Sequence, residues 1–373
     1  MTLTGHHVAM QTQAAVSREG APHPRIEEIE LGPPQAGELL VRVVACGVCH
    51  TDLTVHERPG PRPIVLGHEG AGIVEETGPG VTGFAPGDHV VMSAAAHCGV
   101  CAACRDGAYP YCVEGWDRNF GGLRPDGTSG LSQDGTLVHG NFFGQSSFAR
   151  HALAQASSAV LVPRDLPLEL LAPLGCGVPT GAGSVLYALG VKPGASLAVF
   201  GAGSVGLGAI MAGRVAGATR IVAVDVVPSR LELALELGAT DAVDARDGNP
   251  VEAIRELTGG GAGFTFNTTR SRRVYDQMVD ALAPQGTAGF VGPPDEGWEP
   301  DLTAIMHGGH AIMGIVQGGV AADVIVPLII DLHRQGRFPF DRLIREYAFE
   351  DIEAAFRDSE AGTTIKPVLR MTG

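Results

Sequence analysis

The stretch SLAVFGAGSVG, residues 196–206, decides the fold of this 373-residue chain. The apolar run SLAVF leads directly into the pattern Gly201-x-Gly203-x-x-Gly206, and a helical pattern follows to about residue 216. Asp225 ends the next apolar run, RIVAVD. A glycine-rich turn between a strand and a helix, with an acidic residue about 20 positions further on, is typical of a dinucleotide-binding βαβ unit.

Each part of this pattern has a physical role. Gly201 permits the tight turn, Gly203 lets the backbone approach a pyrophosphate, and Gly206 allows close packing of helix on strand. The free N–H groups at the start of the helix favour the negative phosphates. Asp225 can accept hydrogen bonds from both ribose hydroxyls and would repel a 2′-phosphate, so the pattern predicts NAD rather than NADP. The alternative is a plain tight turn followed by a surface aspartate.

On either side of this unit, the pattern of apolar and polar residues in the sequence changes. Residues 178–318 alternate apolar runs with helical segments, which predicts an α/β domain with a doubly wound parallel sheet of six strands. Residues 1–177 carry short alternating runs broken by glycine and proline, which predicts a β-rich domain. The tail, residues 319–373, returns to mixed texture and ends in IKPVLRM, so we expect its last strand to rejoin the first domain.

Composition excludes several classes of function. The formal net charge of -15 argues against a nucleic-acid partner, which requires a basic surface. The N-terminus, MTLTGHHVAM, lacks the basic and apolar regions of a signal peptide. The sequence also lacks the run of about 20 apolar residues that crosses a membrane. A cytoplasmic protein with no membrane partner is therefore expected.

Four of the seven cysteines fall in one short loop. Their spacing is Cys98-x2-Cys101-x2-Cys104-x7-Cys112, and four thiolates so close in sequence fit a closed tetrahedral structural zinc. An iron–sulfur cluster is a rival, but the fourth cysteine comes late for the bacterial ferredoxin run and no proline follows it. Unligated cysteines are the third interpretation.

A second group of metal-ligating residues has no local spacing. Cys49 lies in GVCHTD, His68 and Glu69 lie in GHEGAG, and Cys176 lies in GCGVPTG. On chemistry alone, a Cys/His/Cys zinc site with one open position for substrate is possible. From its own surroundings, Cys176 is as well interpreted as a small buried core residue.

Taken together and in this order, GVCHTD, GHEGAG, CGVCAAC, GCGVPTG and GAGSVG resemble the zinc-containing medium-chain alcohol dehydrogenases, from about Glu38 to Leu369. The resemblance implies a GroES-like β-rich catalytic domain, a Rossmann coenzyme domain, and a homodimer or homotetramer. NFFGQSSFA, RQGRFPFDRLI and TIKPVLR are most similar to the bacterial aryl (benzyl) alcohol dehydrogenases. Members of that branch oxidise benzylic, allylic and other bulky apolar primary alcohols.

The resemblance also assigns roles around the catalytic zinc. Its protein ligands are Cys49, His68 and Cys176, which makes two zinc ions per chain. Glu69 is a neighbouring carboxylate or occasional ligand, Asp52 orients His68, and Thr51 hydrogen-bonds the substrate hydroxyl. Zinc lowers the hydroxyl pKa so that a zinc-bound alkoxide forms, hydride passes reversibly to the nicotinamide, and the aldehyde leaves.

The coenzyme and substrate contacts follow from the same resemblance. His50 and Lys366 occupy positions where many relatives carry cations that bind pyrophosphate. The implied coenzyme contacts are His50, Gly201, Gly203, Ser204, Val205, Gly206, Asp225, Arg230, Val291 and Lys366. The implied substrate contacts are Ala94, Phe142, Phe143 and Val316, with both phenylalanines as plain core residues in the alternative interpretation.

Two positions depart from the family pattern. Thr54 stands where some relatives carry a histidine that relays the proton, and His56 is either a substitute relay or, more simply, a surface residue on a strand or loop. Arg270 stands where relatives usually have glycine. The alternative functions are a thiol-adduct formaldehyde dehydrogenase, a general medium-chain alcohol dehydrogenase, a dehydrogenase that retains its NAD, and a non-enzymatic NAD-binding protein.

Overall fold

The computed structural model describes residues 9–58 and 60–371, and the chain divides into two compact units. Of the described residues, those up to 176, those from 321 to 326 and those from 341 onward form the first unit, and 177–320 and 327–340 form the second. The predicted return to the first domain at residue 319 differs from this division for residues 327–340, because their contacts lie within the second unit. The N-terminal stretch considered for a signal peptide lies largely outside the described residues.

Short strands with glycine and proline turns build the first unit, as the alternating runs predict. Its strands are β1 (Met10–Ser17), β2 (Arg25–Leu31), β3 (Glu38–Gly47), β4 (Ile64–Val65), β5 (Gly70–Thr77), β6 (His89–Met92), β7 (Leu131–Gln133), β8 (Thr136–Val138), β9 (His151–Gln155) and β10 (Ala159–Leu161). Its helices in this part of the chain are α1 (His50–Glu57), α2 (Ala102–Arg105), α3 (Gly115–Phe120) and α4 (Leu168–Leu171).

A six-stranded parallel sheet forms the second unit. Its strands are β11 (Ser196–Phe200), β12 (Arg220–Asp225), β13 (Asp241–Asp244), β14 (Ala262–Asn267), β15 (Leu282–Phe290) and β16 (Ala311–Gly314). The α-helices of the chain from residue 177 to residue 334 are α5 (Gly177–Gly183), α6 (Ser204–Ala216), α7 (Pro228–Leu237), α8 (Pro250–Thr258), α9 (Arg272–Asp280), α10 (Leu302–Gly308) and α11 (Ala322–Arg334).

The strand order of this sheet is β13-β12-β11-β14-β15-β16, the doubly wound order that the sequence predicts. The strand order reverses at β11, from which β12 and β13 lie on one side and β14 to β16 on the other, and such a switch point is where doubly wound sheets bind ligands at the carboxyl ends of their strands. The strands are buried on both faces, which explains why SLAVF and RIVAV are continuous apolar runs. Helix α6 ends at Gly217, whose φ of 80° is the left-handed conformation that closes a helix.

The remaining elements are β17 (Ile344–Ala348), α12 (Ile352–Glu360) and β18 (Lys366–Arg370). Strand β18 pairs antiparallel with β3, where Val368 faces Gly47, so the tail rejoins the first unit as expected. The first unit therefore holds two sheets, ordered β4-β1-β2-β7-β8 and β10-β6-β5-β3-β18-β17, with β9 also on β3. Among the described residues, no single helix is long and apolar enough to cross a membrane, and only the bent pair Leu168–Gly175 with Gly177–Ala188 reaches that length together.

Candidate zinc and coenzyme sites

Four metal-ligating side chains that are distant in sequence meet in the first unit. Cys49 precedes α1, His68 and Glu69 lie between β4 and β5, and Cys176 follows the short helix Ala172–Gly175. One ligand atom from each residue lies within 4.8 Å of all the others. The fold thus brings together the set that the family resemblance implies and that spacing alone could not join.

Asp52 fixes the orientation of His68. The Nδ1–H of His68 donates to Asp52 Oδ1 at 3.0 Å, and both side chains are completely buried. The same carboxylate accepts the backbone N–H groups of Cys49 and Gly67, each at 3.0 Å. One aspartate therefore holds the two segments that carry Cys49 and His68. Residues that hydrogen-bond to metal ligands typically have this role.

The chemistry of the donors fits a metal ion. The buried Nε2 of His68 makes no hydrogen bond with any part of the chain that the structure describes. A hydrogen bond with Cys176, followed by the charge of His68, lowers the pKa of Cys49 well below its usual range. Burial opposes the charge of His68, but the charges of Asp52 and Cys49 together outweigh burial and raise the pKa of the imidazole well above its usual range. A thiolate beside a buried imidazole nitrogen that lacks a hydrogen-bond partner among the described residues is a ligand pair that suits zinc.

Close backbone packing places His68. Gly67 has a φ of 87°, and a Cβ there would lie 2.5 Å from the backbone nitrogen of Phe148. Both facts require glycine immediately before the histidine. Thr51 lies on the first turn of α1 with its Oγ1 3.8 Å from Cys49 Sγ, so its hydroxyl faces the ligand set.

Lys366 forms a buried ion pair beside this set. Its Nζ donates to Glu69 Oε1 at 2.7 Å and to the carbonyl of Val48 at 3.2 Å, and both charged side chains are almost inaccessible. Burial raises the pKa of Glu69; burial also opposes the ammonium, yet Glu69 raises the pKa of Lys366 above its usual range. Sequence predicted that Lys366 binds pyrophosphate, and the partner observed here is Glu69. The coenzyme role stays a prediction.

Gln145 is a site residue that the sequence interpretation missed. Its Nε2 donates to the carbonyls of His68 at 3.0 Å and Met92 at 3.1 Å, and its Oε1 accepts the N–H of Gly70 at 3.1 Å. The side chain is 1% exposed. It therefore fixes the backbone on both sides of the zinc ligand segment. The available signal was a long polar residue inside NFFGQSSFA, since a buried glutamine needs partners for its amide.

The two phenylalanines before Gln145 have different surroundings. Phe143 stacks on the His68 ring with centroids 4.6 Å apart and an angle of 27°, and it keeps 7% of its surface exposed. Phe142 is completely buried and contacts His68 edge-on at 5.6 Å. Because none of its surface is accessible, the structure favours the alternative interpretation of Phe142 as a core residue, and its contact with substrate stays a prediction. Phe142 packs behind Phe143.

Of the other two predicted substrate residues, Ala94 belongs to the first unit and Val316 to the second. Ala94 is 2% exposed and its N–H donates to the carbonyl of Gly175 at 2.9 Å, next to the ligand Cys176. Val316 belongs to the second unit and is 47% exposed. Their roles in substrate binding stay predictions.

His56 lies on helix α1, not on the strand or loop that we expected. Its Nε2–H donates to the carbonyl of Ala21 at 3.0 Å, and its Nδ1 accepts from Ser17 Oγ at 2.7 Å. Both ring nitrogens are engaged, so His56 ties α1 to the β1–β2 connection and has no nitrogen left to relay a proton.

The four clustered cysteines form the second ligand set. Their sulfur atoms all lie within 4.8 Å of one another. Backbone N–H groups stabilise the thiolates: Cys98 donates to Cys112 Sγ, and Cys101 to Cys98 Sγ, each at 3.3 Å. The N–H groups of Val113 and Cys104 lower the pKa of Cys101 to about 6. A closed cage of four sulfurs fits a structural zinc.

In the second unit, the glycines of GAGSVG have the geometry that a dinucleotide turn needs. Gly201 has a φ of 91°, and a Cβ at Gly206 would lie 1.8 Å from the carbonyl oxygen of Gly201. A Cβ at Gly203 would meet no atom within 4 Å, so the backbone there borders open space. Ser204 and Val205 form the first turn of α6, which begins directly after Gly203 and offers free N–H groups as every helix start does.

Asp225 is held rigidly at the end of β12. Its Oδ2 accepts the N–H of Ala202 at 2.6 Å, and its Oδ1 accepts those of Val226 and Val227 at 2.7 and 2.9 Å. Each carboxylate oxygen keeps further acceptor capacity. The acid is therefore fixed beside the glycine-rich turn, in the position from which it could accept ribose hydroxyls.

The remaining coenzyme candidates lie at several places. Arg230 is on the first turn of α7, and Val291 follows β15, with its N–H donating to the carbonyl of Asn267 at 3.3 Å. His50 is the exposed first residue of α1 in the first unit. Arg270, the departure from the family pattern, donates to Asp295 Oδ1 at 2.6 Å.

Comparisons with known proteins agree with this architecture. Residues 35–164 match the alcohol dehydrogenase GroES-like domain, and residues 204–329 match the zinc-binding dehydrogenase family. The chain is 44% identical to geraniol dehydrogenase of Castellaniella defragrans over 96% of its length and 98% of that protein.

Two crystal structures are similar throughout. An alcohol dehydrogenase zinc-binding domain protein from Burkholderia ambifaria is 49% identical, with a TM-score of 0.95 over 98% of this chain and 100% of that one. Benzyl alcohol dehydrogenase from Acinetobacter calcoaceticus is 43% identical, with a TM-score of 0.93 over 97% and 100%. With its two ligand sets, its dinucleotide turn and these full-length relatives, the chain belongs to the family of zinc-binding, NAD-dependent alcohol dehydrogenases.

Proposed function

We propose that this enzyme oxidises bulky apolar primary alcohols of the benzylic, allylic or terpenoid type to aldehydes, reversibly and with NAD as hydride acceptor. The observation that carries the proposal is the aromatic surface at the ligand set: the Phe143 ring stacks on the zinc-binding candidate His68. Relatives named for geraniol and benzyl alcohol support the same substrate class.

We infer two zinc ions per chain. Cys49, His68 and Cys176 would hold the catalytic ion, with Glu69 beside it, and the four clustered cysteines would hold the structural one. When bound at the first set, zinc supplies Lewis acidity that lowers the pKa of an alcohol hydroxyl.

The chain's own residues orient the reactants. Thr51 Oγ1, on the α1 turn beside Cys49, accepts the hydrogen bond of the substrate hydroxyl and so orients it. Asp52 keeps the His68 ring in one tautomer, with its other nitrogen facing the ligand set. Phe143 excludes water from that face of the ring and contacts the apolar part of the alcohol.

Coenzyme choice rests on Asp225. A rigid carboxylate beside the dinucleotide turn accepts hydrogen bonds from a free ribose and repels a 2′-phosphate, so we expect NAD to be strongly preferred over NADP. Asp225→Gly should narrow that preference, mainly through a lower Michaelis constant for NADP. Equal use of both coenzymes by the unaltered enzyme would refute this part of the proposal.

The substrate class is tested by NADH formation with ethanol, benzyl alcohol, cinnamyl alcohol and geraniol. Burial of an apolar body against Phe143 should raise kcat/KM for the larger alcohols about tenfold to a hundredfold above that of ethanol. Ethanol performing as well as the others would overturn the proposal, and so would a preference for S-(hydroxymethyl)glutathione. We further propose a cytoplasmic location and a homodimer or homotetramer. Sedimentation analysis of the purified enzyme tests the oligomeric state, and a monomer would contradict it.

A further inference from the structure

The loop after β15, residues 291–298, is attached at three points to the segment that follows β14, residues 268–276. The attached pairs, each joined by a side-chain hydrogen bond, are Arg270 with Asp295, Tyr275 with Gly292, and Trp298 with Asp276. Both segments begin at the carboxyl ends of neighbouring parallel strands in the second unit. That edge of a doubly wound sheet is where ligands bind. The attached loop therefore begins at the coenzyme edge.

The middle attachment joins two charged side chains. Arg270 Nε donates to Asp295 Oδ1 at 2.6 Å, and the N–H of Asp295 donates to the carbonyl of Arg270 at 3.1 Å. The guanidinium side chain is 28% exposed and the carboxylate side chain 62% exposed. Because water screens such a pair, its contribution to the stability of the whole unit is small. The pair can hold a loop in one position without being needed for the fold.

Thr268 continues the connection to the glycine-rich turn. Its N–H donates to the carbonyl of Phe200 at 2.9 Å, and its Oγ1 donates to the same carbonyl at 3.0 Å and to that of Gly201 at 3.2 Å. Arg270 follows two residues later. The loops after β11, β14 and β15 are thus linked in series, and they carry the expected coenzyme contacts Gly201 and Val291.

The sequence of the loop after β15 explains why it needs an attachment in its middle. Gly292 and Gly297 lie near its two ends, and glycine allows many backbone conformations. Between them, Pro293 and Pro294 restrict the backbone, so this part can turn as a stiff piece about the glycines. Asp295 directly follows the prolines, and its bond to Arg270 fixes the stiff piece. A loop that is ordered before the ligand arrives lowers the entropic cost of binding.

We propose that the Arg270–Asp295 pair is a clasp that holds the loop after β15 in its coenzyme-binding position and so slows the release of NADH. Arg270 is then a positioning residue that acts on the coenzyme through the loop. The proposal rests on the proposed use of NAD and goes beyond it. Arg270 stands where relatives usually have glycine, which has no side chain to form this pair.

The first test measures NADH release from the full-length enzyme by stopped-flow fluorescence in Arg270→Gln and Asp295→Asn. Each change should raise the dissociation rate constant, and with it the Kd for NADH, about two- to fivefold, the range expected for one partly exposed ion pair. The double variant should release NADH no faster than either single variant, because both changes remove the same interaction. Arg270→Lys keeps the charge and should recover part of the loss.

Asp295→Asn separates the clasp from direct attraction between Arg270 and the coenzyme. If the guanidinium bound the coenzyme itself, removal of the competing carboxylate would free its charge and slow the release of NADH. The clasp requires the opposite sign, so slower or unchanged release in Asp295→Asn would overturn the proposal. Unchanged release in Arg270→Gln would also overturn it. Failure of the unaltered enzyme to bind NADH would instead refute the proposed function.

Arg220→Gln is the matched control. Arg220 pairs with Asp241 at 2.9 Å, and these are the first residues of β12 and β13, at the opposite edge of the same sheet. The Arg220 side chain is 43% exposed, so this ion pair is also screened by water. Its loss should leave NADH release unchanged, and an equal effect of both variants would contradict a clasp at the coenzyme edge.

A second measurement needs no coenzyme. Hydrogen–deuterium exchange of the purified enzyme in the absence of NAD should be about two- to fivefold faster across residues 291–298 in Arg270→Gln than in the unaltered enzyme. Arg220→Gln should leave exchange in that loop unchanged. Equal exchange in Arg270→Gln and the unaltered enzyme would mean that the loop is held without the pair, which would refute the clasp.

Discussion

The two ligand sets reach the same closeness by different routes. The four structural cysteines lie between Cys98 and Cys112, and the backbone of their own loop donates to their sulfurs. The catalytic set is drawn from Cys49, the segment at His68, and Cys176, which meet only after the sheets of the first unit have formed. The ligands of the cysteine set come from one loop, whereas those of the catalytic set come from segments that only the folded unit brings together.

The groups that support each set differ accordingly. Around the clustered cysteines, Asn119 hydrogen-bonds the backbone on either side of the loop, at Ala96 before it and at Gly115 after it. Around the catalytic set, three buried side chains from separate parts of the chain do this work: Asp52, Gln145 and Lys366. The comparison leads us to expect different consequences when a ligand is lost. Loss from the local cysteine cage should lower the stability of the fold, whereas loss from the distant set should disturb a geometry that the folded unit maintains.

The largest expected effect comes from Cys176→Ser. Loss of one of three protein ligands should remove the catalytic metal and lower kcat roughly a thousandfold or more, because Lewis-acid activation is lost. Circular dichroism should remain native, and elemental analysis should find one zinc ion fewer per chain. Cys46→Ala is the matched control: Cys46 is buried near the site but belongs to neither ligand set, so zinc content and activity should persist. Full activity in Cys176→Ser would remove Cys176 from the catalytic set.

Cys101→Ser should produce the opposite pattern. Opening the closed cage should lower the free energy of unfolding by roughly 2–4 kcal/mol, since metal binding contributes to folding. Activity per folded molecule at low temperature should stay close to that of the unaltered enzyme. Thermal unfolding followed together with zinc content tests this, and iron in place of zinc would contradict the assignment of the cage. An effect on kcat as large as that of Cys176→Ser would erase the distinction between the two sets.

A smaller effect is expected from Asp52→Asn, which keeps the shape of the side chain but removes its charge. Loss of the carboxylate from the His68 ring should cost about tenfold to a hundredfold in metal affinity or activity. Competition with a zinc chelator, followed at both sites, should show faster release from the catalytic set alone. Equal release from both sets would mean that Asp52 serves the fold of the unit as a whole.

Much of this fold could be predicted from local pattern. The βαβ unit could be predicted from SLAVF, the glycine-rich turn and Asp225. The apolar run, the turn residues and the distance in sequence from the turn to the acidic residue all depend on short-range geometry. The alternation of strand and helix then predicted the doubly wound order. The surroundings of His56 could not be predicted from local pattern. Helix α1 after Cys49 is short and has little amphipathic pattern, so we expected a strand or loop there. Hydrogen bonds with Ser17 and Ala21, which are close in space, determine the direction of the His56 ring.

The catalytic site needed more than pattern. Family resemblance supplied the identities of Cys49, His68 and Cys176, but it gave no partner for Lys366, no role for Gln145 and no distinction between Phe142 and Phe143. Each of these depends on contacts between residues far apart in sequence. A buried amide or ammonium takes whichever partner the packed chain brings to it, and accessibility depends on which ring lies in front.

By itself, the sequence determined the cysteine cage, the dinucleotide turn and the two-domain organisation. These depend on spacings of a few residues, and within such distances backbone geometry allows few arrangements. Only the tertiary structure decided the burial of Lys366 on Glu69, the hydrogen bonds of Gln145 to the His68 segment, and the stacking of Phe143 on His68. Those contacts join positions tens to hundreds of residues apart, and they exist because burial of the whole apolar core fixes the strands that carry them.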